Sequence, residues 1–206
     1  MRLSAGDLAC VRSGRNIFSG LNFSLDSGTA LLVGGNNGSG KSSLLRMIAG
    51  LVRIAAGRIE LAGGERELTV GEQSHLLGHQ DAIKPALSVA ENLRFWNDYL
   101  GTGELKPDAA LAAVALDDIA DLPAAYLSAG QRRRLSIARL LAVRRPIWLL
   151  DEPTSSLDAA GQGLLAEFMR AHLSGGGLII AATHGPIGLE GAQQLRLGEP
   201  TAPERP

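Results

Sequence analysis

One eight-residue run, Gly35-Asn36-Asn37-Gly38-Ser39-Gly40-Lys41-Ser42, limits this chain more than any other feature. It fits G-x-x-x-x-G-K followed by Ser or Thr, a pattern that functions when a buried strand enters it and a helix leaves it. Thr29 to Val33 reads as that strand and Ser42 to Ala49 as that helix, with Gly50 placed to close it. The glycines let successive backbone N–H groups face an anion, and the helix N-terminus adds its partial positive charge. Lys41 would reach the outer phosphates of a nucleotide, Ser42 would set its hydroxyl on Mg²⁺, and Ser43 can donate to a phosphate oxygen. The competing reading is a glycine-rich turn with an exposed lysine, and the strand and helix context weighs against it.

A second strand end supplies carboxylates. Ile147-Trp148-Leu149-Leu150 is a continuous apolar run that ends in Asp151-Glu152, and ligands of open parallel sheets sit at the carboxyl ends of strands. Asp151 would hold Mg²⁺ through water, and Glu152 would polarise an attacking water as general base. Alone, the pair could equally be a strand-to-helix turn with an acidic cap. Leu178 to Ala182 is another apolar run of strand length, so both runs suit a largely parallel sheet covered on two faces.

Around these parts the periodicity predicts two paired strands at Leu3–Val11 and Ile17–Leu25, with a hairpin turn at Ser13-Gly14-Arg15-Asn16. Short strands follow at Arg58–Leu61 and Ser74–Leu77. Helices are predicted over Ser88–Leu100, opened by a Ser88/Glu91 capping box, and over Asp108–Leu116, Gly130–Arg144 and Ala159–Leu173. Pro146 is expected to stop the third of these. Residues 1–198 read as one domain, and the proline-rich 199–206 as a disordered tail.

Composition removes several function classes. Lys plus Arg number 20 against 21 Asp plus Glu, a formal charge of −1, so no global basic field exists to attract nucleic acid or anionic lipid. Cys10 is the sole cysteine, so no intrachain disulfide can form; its apolar neighbours suggest core packing and its number a reducing compartment. Met1 to Leu8 does not read as a signal peptide, and no stretch approaches the roughly 20 apolar residues of a membrane helix. The chain is expected to be soluble, with any membrane contact made through partners. His75, His79 and His172 lack partners at metal-ligand spacing and read as structural, surface or loop residues.

Leu127-Ser128-Ala129-Gly130-Gln131 narrows the class. Ser128 is placed to cap the following helix, so its hydroxyl, the Gly130 N–H and the helix dipole can face an anion. By itself this is an ordinary S-x-x-Q cap. After a phosphate loop and before an acidic strand end it resembles the signature of ABC transporter ATP-binding subunits, usually written with two glycines where this chain has Ala129-Gly130. Gln80 then matches that family's Q-loop glutamine, which contacts metal and attacking water. His184 matches the switch histidine, and Ser156-Leu157-Asp158 matches the D-loop that spans paired nucleotide sites. Arg12 stands where many ABC ATPases stack an aromatic on adenine, and its guanidinium could stack instead. The triplet Arg132-Arg133-Arg134 reads as a solvated basic face, or else as help in holding nucleotide. Phe95 and Trp96 read as core, or else as the lining of a groove that receives a helix of a membrane subunit.

The resemblance implies an α/β fold: a P-loop NTPase with a RecA-like core, an N-terminal antiparallel β lobe and a helical subdomain inserted at about 83–145. It also implies ATP and Mg²⁺ as ligands. Two copies would form a homodimer with two composite sites, each joining one chain's phosphate loop to Ser128, Gly130 and Gln131 of the other. Gly78-His79-Gln80, Ile83-Lys84-Pro85, Glu91 to Phe95 and Leu127 to Arg134 narrow it further, to haem exporter ATP-binding subunits of bacterial cytochrome c maturation. That family implies integral membrane partners and a peripheral place on the cytoplasmic face of the inner membrane. Another ABC exporter, a non-transport ABC switch on nucleic acid and a P-loop kinase are the competing classes; the charge balance opposes the second and the signature opposes the third.

Overall fold

Alternation along two fully buried strands organises this protein. In the computed structural model, which describes residues 1–101, 103 and 105–198, β6 (Ile147–Asp151) and β7 (Leu178–Ala182) lie side by side and parallel. Ile147, Leu149, Leu178 and Ile180 face one apolar cluster, whereas Trp148, Leu150, Ile179 and Ala181 face another. Successive strand side chains point to opposite faces, so an uninterrupted apolar run is what a strand covered on both sides requires.

The parallel sheet has the order β5-β6-β7-β3-β8, with β3 at Ala30–Gly35, β5 at Ser74–Leu77 and β8 at Gln193–Leu197. An antiparallel sheet, β2-β1-β4, is built from β1 (Arg2–Arg12), β2 (Arg15–Asp26) and β4 (Ala56–Ala62). β1 and β2 turn through Ser13 and Gly14, both with positive φ, +49° and +75°. This two-residue hairpin suits the strand twist. Leu3, Leu8 and Cys10 of β1 join Leu44, Leu45 and Ile48 of α1 (Lys41–Ile48) in the cluster on one sheet face.

Helices fill the other face: α2 (Val89–Leu100), α3 (Pro107–Ala113), α4 (Ala129–Ala142) and α5 (Ala159–Ser174). The first three lie between β5 and β6, with single 3-10 turns at Asp117–Ile119 and Ala124–Tyr126. Leu93, Leu111, Leu135 and Met169 hold them to the sheet. α1 ends as its glycine dictates. Gly50 has φ +74°, its N–H donates to Met47 O at 3.0 Å, and the Leu51 N–H donates to Arg46 O at 2.8 Å, the paired bonds of a Schellman closure.

Three expectations are adjusted. α3 covers Pro107–Ala113 and stops three residues short of Leu116, because Val114 leaves helical geometry and Ala115 turns to a positive φ of +54°. α4 stops at Ala142, two residues short of Arg144, because Val143 turns extended and its carbonyl oxygen, 2.8 Å from His75 Nε2, is engaged there. β8 was not expected: Gln193-Gln194-Leu195-Arg196-Leu197 is an edge strand, hydrogen-bonded on one side and largely exposed, so it carries little apolar pattern. The expected disordered tail lies outside the described residues.

Candidate nucleotide site

β3, β6 and β7 run parallel and end at the same rim, and each delivers polar residues there. β3 passes into the loop 35–40, where two glycines have no substitute. A Cβ on Gly35 (φ +136°) would lie 2.5 Å from Leu197 O, and one on Gly40 (φ +102°) 2.6 Å from Ile17 Cγ2. Gly40 is also the N-cap of α1 and supplies no side-chain cap, so the first N–H groups of that helix point at the loop without a side-chain partner. The ammonium of Lys41, 9% exposed, donates to Gly35 O at 2.8 Å and Asn36 O at 3.1 Å. Ser39 Oγ is buried with no partner. Asn36, Asn37 and Gly38 complete the loop, and Ser42 and Ser43 lie half-buried in the first turn of α1.

β6 ends in Asp151, buried at 6% exposure, and the chain then turns through Glu152 with φ +45°. A non-glycine residue in the left-handed region costs about 1–2 kcal/mol, a strain usually kept where a side chain must be aimed. Here the Glu152 N–H donates to Ala182 O at 2.9 Å, Glu152 Oε1 is buried without a hydrogen bond, and His184 Nε2 stands 3.7 Å from it. That separation is too long for a hydrogen bond and leaves room for adjustment. His184 follows β7 on a turn closed by Thr183 Oγ1, which donates to Gly185 O at 3.0 Å. Phosphate loop, Asp151, Glu152 and His184 are thus brought to one rim.

Gln80 is exposed three residues past β5, in a loop that also holds His79, Asp81 and Ala82. This loop borders an open groove shared with Arg46, Trp96 and Arg132. Phe95 and Tyr99 stack on the surface of α2 with Trp96 edge-on to both, so Phe95 is no core residue: it is 36% exposed and carries the Lys84 ammonium 4.3 Å above its ring. Arg12 ends β1 in a shallow groove lined also by Arg46 and Arg53.

Ser128, Gly130 and Gln131 stand apart from the phosphate loop, because α4 packs chiefly on α2, α3 and β5. Ser128 Oγ accepts the Gln131 N–H at 3.2 Å, and the Ser128 N–H donates to Gln131 Oε1 at 2.8 Å, a complete capping box. Gly130 lies against the next loop, where a Cβ would sit 3.0 Å from Ser156 O. Asp158 caps α5, accepting the Gly161 N–H at 2.8 Å, and pairs with Arg134 at 3.0 Å. Those two interactions, the backbone bond foremost, hold its carboxyl below the usual carboxylate range.

The arginine triplet is neither a solvated face nor a nucleotide ligand throughout. Arg134 is taken by Asp158, Arg132 turns back to Leu127 O, and Arg133 is buried at 2% exposure with every N–H bonded inside the protein. Consecutive helix residues point about 100° apart, so three in a row cannot share one face. That was the available signal, and it does not say which of the three turns inward.

A sequence profile of the ABC transporter family matches residues 18–155. The cytochrome c biogenesis ATP-binding export protein CcmA of Nitrobacter winogradskyi is 62% identical over 198 residues, 96% of this chain and 98% of that protein. Its namesake in Rhodopseudomonas palustris is 61% identical over the same shares. This chain belongs to the CcmA family of ABC transporter ATP-binding proteins. As a CcmA-family member it is an ABC-type ATPase. Its fold recurs in the ATP-binding subunit of an ABC transporter (TM-score 0.83, 23% identity, 96% of this chain and 86% of that one). It recurs too in a bacterial Atm1-family ABC exporter with ATP bound (TM-score 0.81, 24% identity, 95% and 37%). Among the described residues no helix is long and apolar enough to cross a membrane.

Proposed function

We propose that this chain works as one of a head-to-tail pair of ATPase subunits beneath an integral membrane partner, driving the export step of cytochrome c biogenesis, with haem as the cargo handled. The observation that carries the catalytic part is the rim at β3, β6 and β7. Two buried polar atoms without partners, Ser39 Oγ and Glu152 Oε1, lie there beside an uncapped helix start. A nucleotide's phosphates would satisfy the loop N–H groups and Ser39, and would draw Lys41 off the loop carbonyls it now holds.

Ser42 and Asp151, with Gln80 from its loop, would hold Mg²⁺, which would neutralise phosphate charge when bound. The donor set fits: a hydroxyl, a carboxylate and an amide oxygen are the hard oxygen donors that Mg²⁺ takes, and a nucleotide's phosphates and water would complete its shell. Glu152 takes the proton of the attacking water as general base, and His184 orients it and meets the terminal phosphate. Arg12 stacks on the base.

Ser128, Gly130 and Gln131 are capped within their own chain and distant from its phosphate loop, so they serve the partner subunit's nucleotide. Asp158 lies between the two sites. The groove beside Gln80 and Trp96 receives a helix of the membrane partner, which sets the pair peripherally on the cytoplasmic face of the inner membrane.

Glu152→Gln tests the base: phosphate release is expected to fall about 1,000-fold, while ATP induces a stable dimer visible by size exclusion. Normal hydrolysis by that variant would show that another group is the base. Co-purification with the membrane partner tests the cargo, since a partner that carries no haem would remove that part of the reading alone.

A further inference from the structure

We propose that Arg133 is a positioning residue that locks the Glu152 turn to the Gln80 loop, so that movement of the loop is transmitted to the general base. This rests on the reading of Glu152 given above. The Arg133 guanidinium has five N–H bonds and five acceptors. Nε donates to Pro153 O at 3.2 Å; Nη2 donates to Asp151 O at 3.0 Å and Glu152 O at 2.8 Å. Nη1 donates to Gly78 O at 2.8 Å and Asp81 Oδ1 at 3.2 Å. One side of the planar fork therefore grips three successive carbonyls of the Glu152 turn, and the other grips both ends of the segment that carries Gln80. At 2% exposure and with its donors spent, Arg133 has nothing left to offer a phosphate.

The consequence for Glu152 follows from its backbone. Leaving the left-handed region means rotating the peptides on either side of Glu152. Its N–H is tied to Ala182 O, and the carbonyls of Asp151, Glu152 and Pro153 are tied to Arg133. Without the guanidinium the Ala182 bond and the Ser155 N–H, which donates to Glu152 O at 3.1 Å, are left to oppose relaxation, which would swing the carboxylate away from His184. Lysine offers three N–H groups around one point and cannot span both segments. The same face of α4 makes two more ties to the loop side: Ser136 Oγ donates to Asp81 O at 2.8 Å and Arg139 Nη2 to Leu76 O at 2.8 Å. Residues 133, 136 and 139 stand at i, i+3 and i+6, one stripe that faces the loop. Asp81 faces both Arg133 and Arg139, one carboxylate set against two guanidiniums.

The test uses the full-length chain, with single-turnover ATP hydrolysis, equilibrium ATP binding and circular dichroism on each variant. Arg133→Gln is expected to slow hydrolysis about 100-fold, as a misplaced catalytic group does, while the Kd for ATP stays within about twofold. Arg133→Lys, which keeps the charge but cannot span both segments, should recover less than about threefold of that loss. In a Glu152→Gln background, Arg133→Gln should cost less than about threefold more, because both changes remove the same positioned carboxylate. Affinity that falls in step with rate, or losses that multiply in the double variant, would overturn the proposal. Should Arg133→Gln not fold, Asp81→Ala decides: a drop of about fivefold or more at unchanged Kd supports the tie, and an unchanged rate overturns it. An active Arg133→Gln chain beside an inactive Glu152→Gln chain defeats this proposal alone. A fully active Glu152→Gln chain defeats the base assignment and this proposal with it.

Discussion

The two ends of the parallel sheet are built on opposite terms. At the rim where β3, β6 and β7 finish, Glu152 holds a strained φ of +45°, and Ser39 Oγ and Glu152 Oε1 are buried without partners. At the base, where β6 and β7 begin, polar groups are paired. His75 Nε2 lies 2.8 Å from Val143 O; His172 Nε2 lies 3.2 Å from Pro146 O, and its ring stacks on Trp148 at 4.0 Å. Gly28 N–H donates to Gly177 O at 2.9 Å and Ser27 Oγ to Gly176 O at 2.6 Å, closing the turn below. Residues at the base stabilise the fold. Residues at the rim keep strain and unpaired buried groups, both of which cost stability.

The sharpest way to break this contrast is Lys41→Ala. It should lower turnover about 1,000-fold, equivalent to about 4 kcal/mol, and weaken ATP binding about 100-fold, as measured by phosphate release and nucleotide titration. Wild-type affinity in that variant would mean the loop is not the anion site. His184→Ala is the next largest effect. Turnover should drop about 100-fold, or about 2.7 kcal/mol, with unfolding stability unchanged within about 0.5 kcal/mol because the ring is exposed. A large loss of stability would place His184 with the base histidines instead.

The base responds to pH. Burial pushes His75 down to about 3 and His172 down to about 4, so both rings are neutral in the folded chain, whereas in the unfolded chain they take up protons near 6.5. The unfolded state binds more protons between those values, so stability is complete above about pH 6.5 and declines as pH falls toward 4. Each ring contributes a slope of up to about 1.4 kcal/mol per pH unit. Denaturant midpoints at pH 7.5, 6.5 and 5.5 measure it, and His172→Phe should roughly halve the slope. A flat profile would erase the distinction between the ends.

Much of the rim was legible because its groups are local. Strand, glycine loop and helix lie within Ala30–Ile48, Gly50 closes α1 by its own φ, and Ser88 and Ser128 cap through residues three positions on. The continuous apolar runs of β6 and β7 marked strands covered on both faces. What escaped depends on partners distant in the chain. β8 shows little pattern because one edge and most of its side chains face solvent. Arg133 reads like its neighbours until Gly78 and Pro153, 55 and 20 residues away, are brought to it. His75 and His172 gave no sign that burial would keep them neutral.

Because β8, among the described residues, pairs only with β3 and leaves most of its side chains in water, its fraying is a low-cost opening of this sheet. Such fraying would part Leu197 from Gly35, whose missing Cβ admits the Leu197 carbonyl, and so slacken the phosphate loop while α1 and β6 stay folded. A bound anion that keeps the loop in place therefore also keeps the edge strand shut. Amide exchange along Gln193–Leu197 becomes a remote gauge of occupancy, read from residues that never touch the nucleotide.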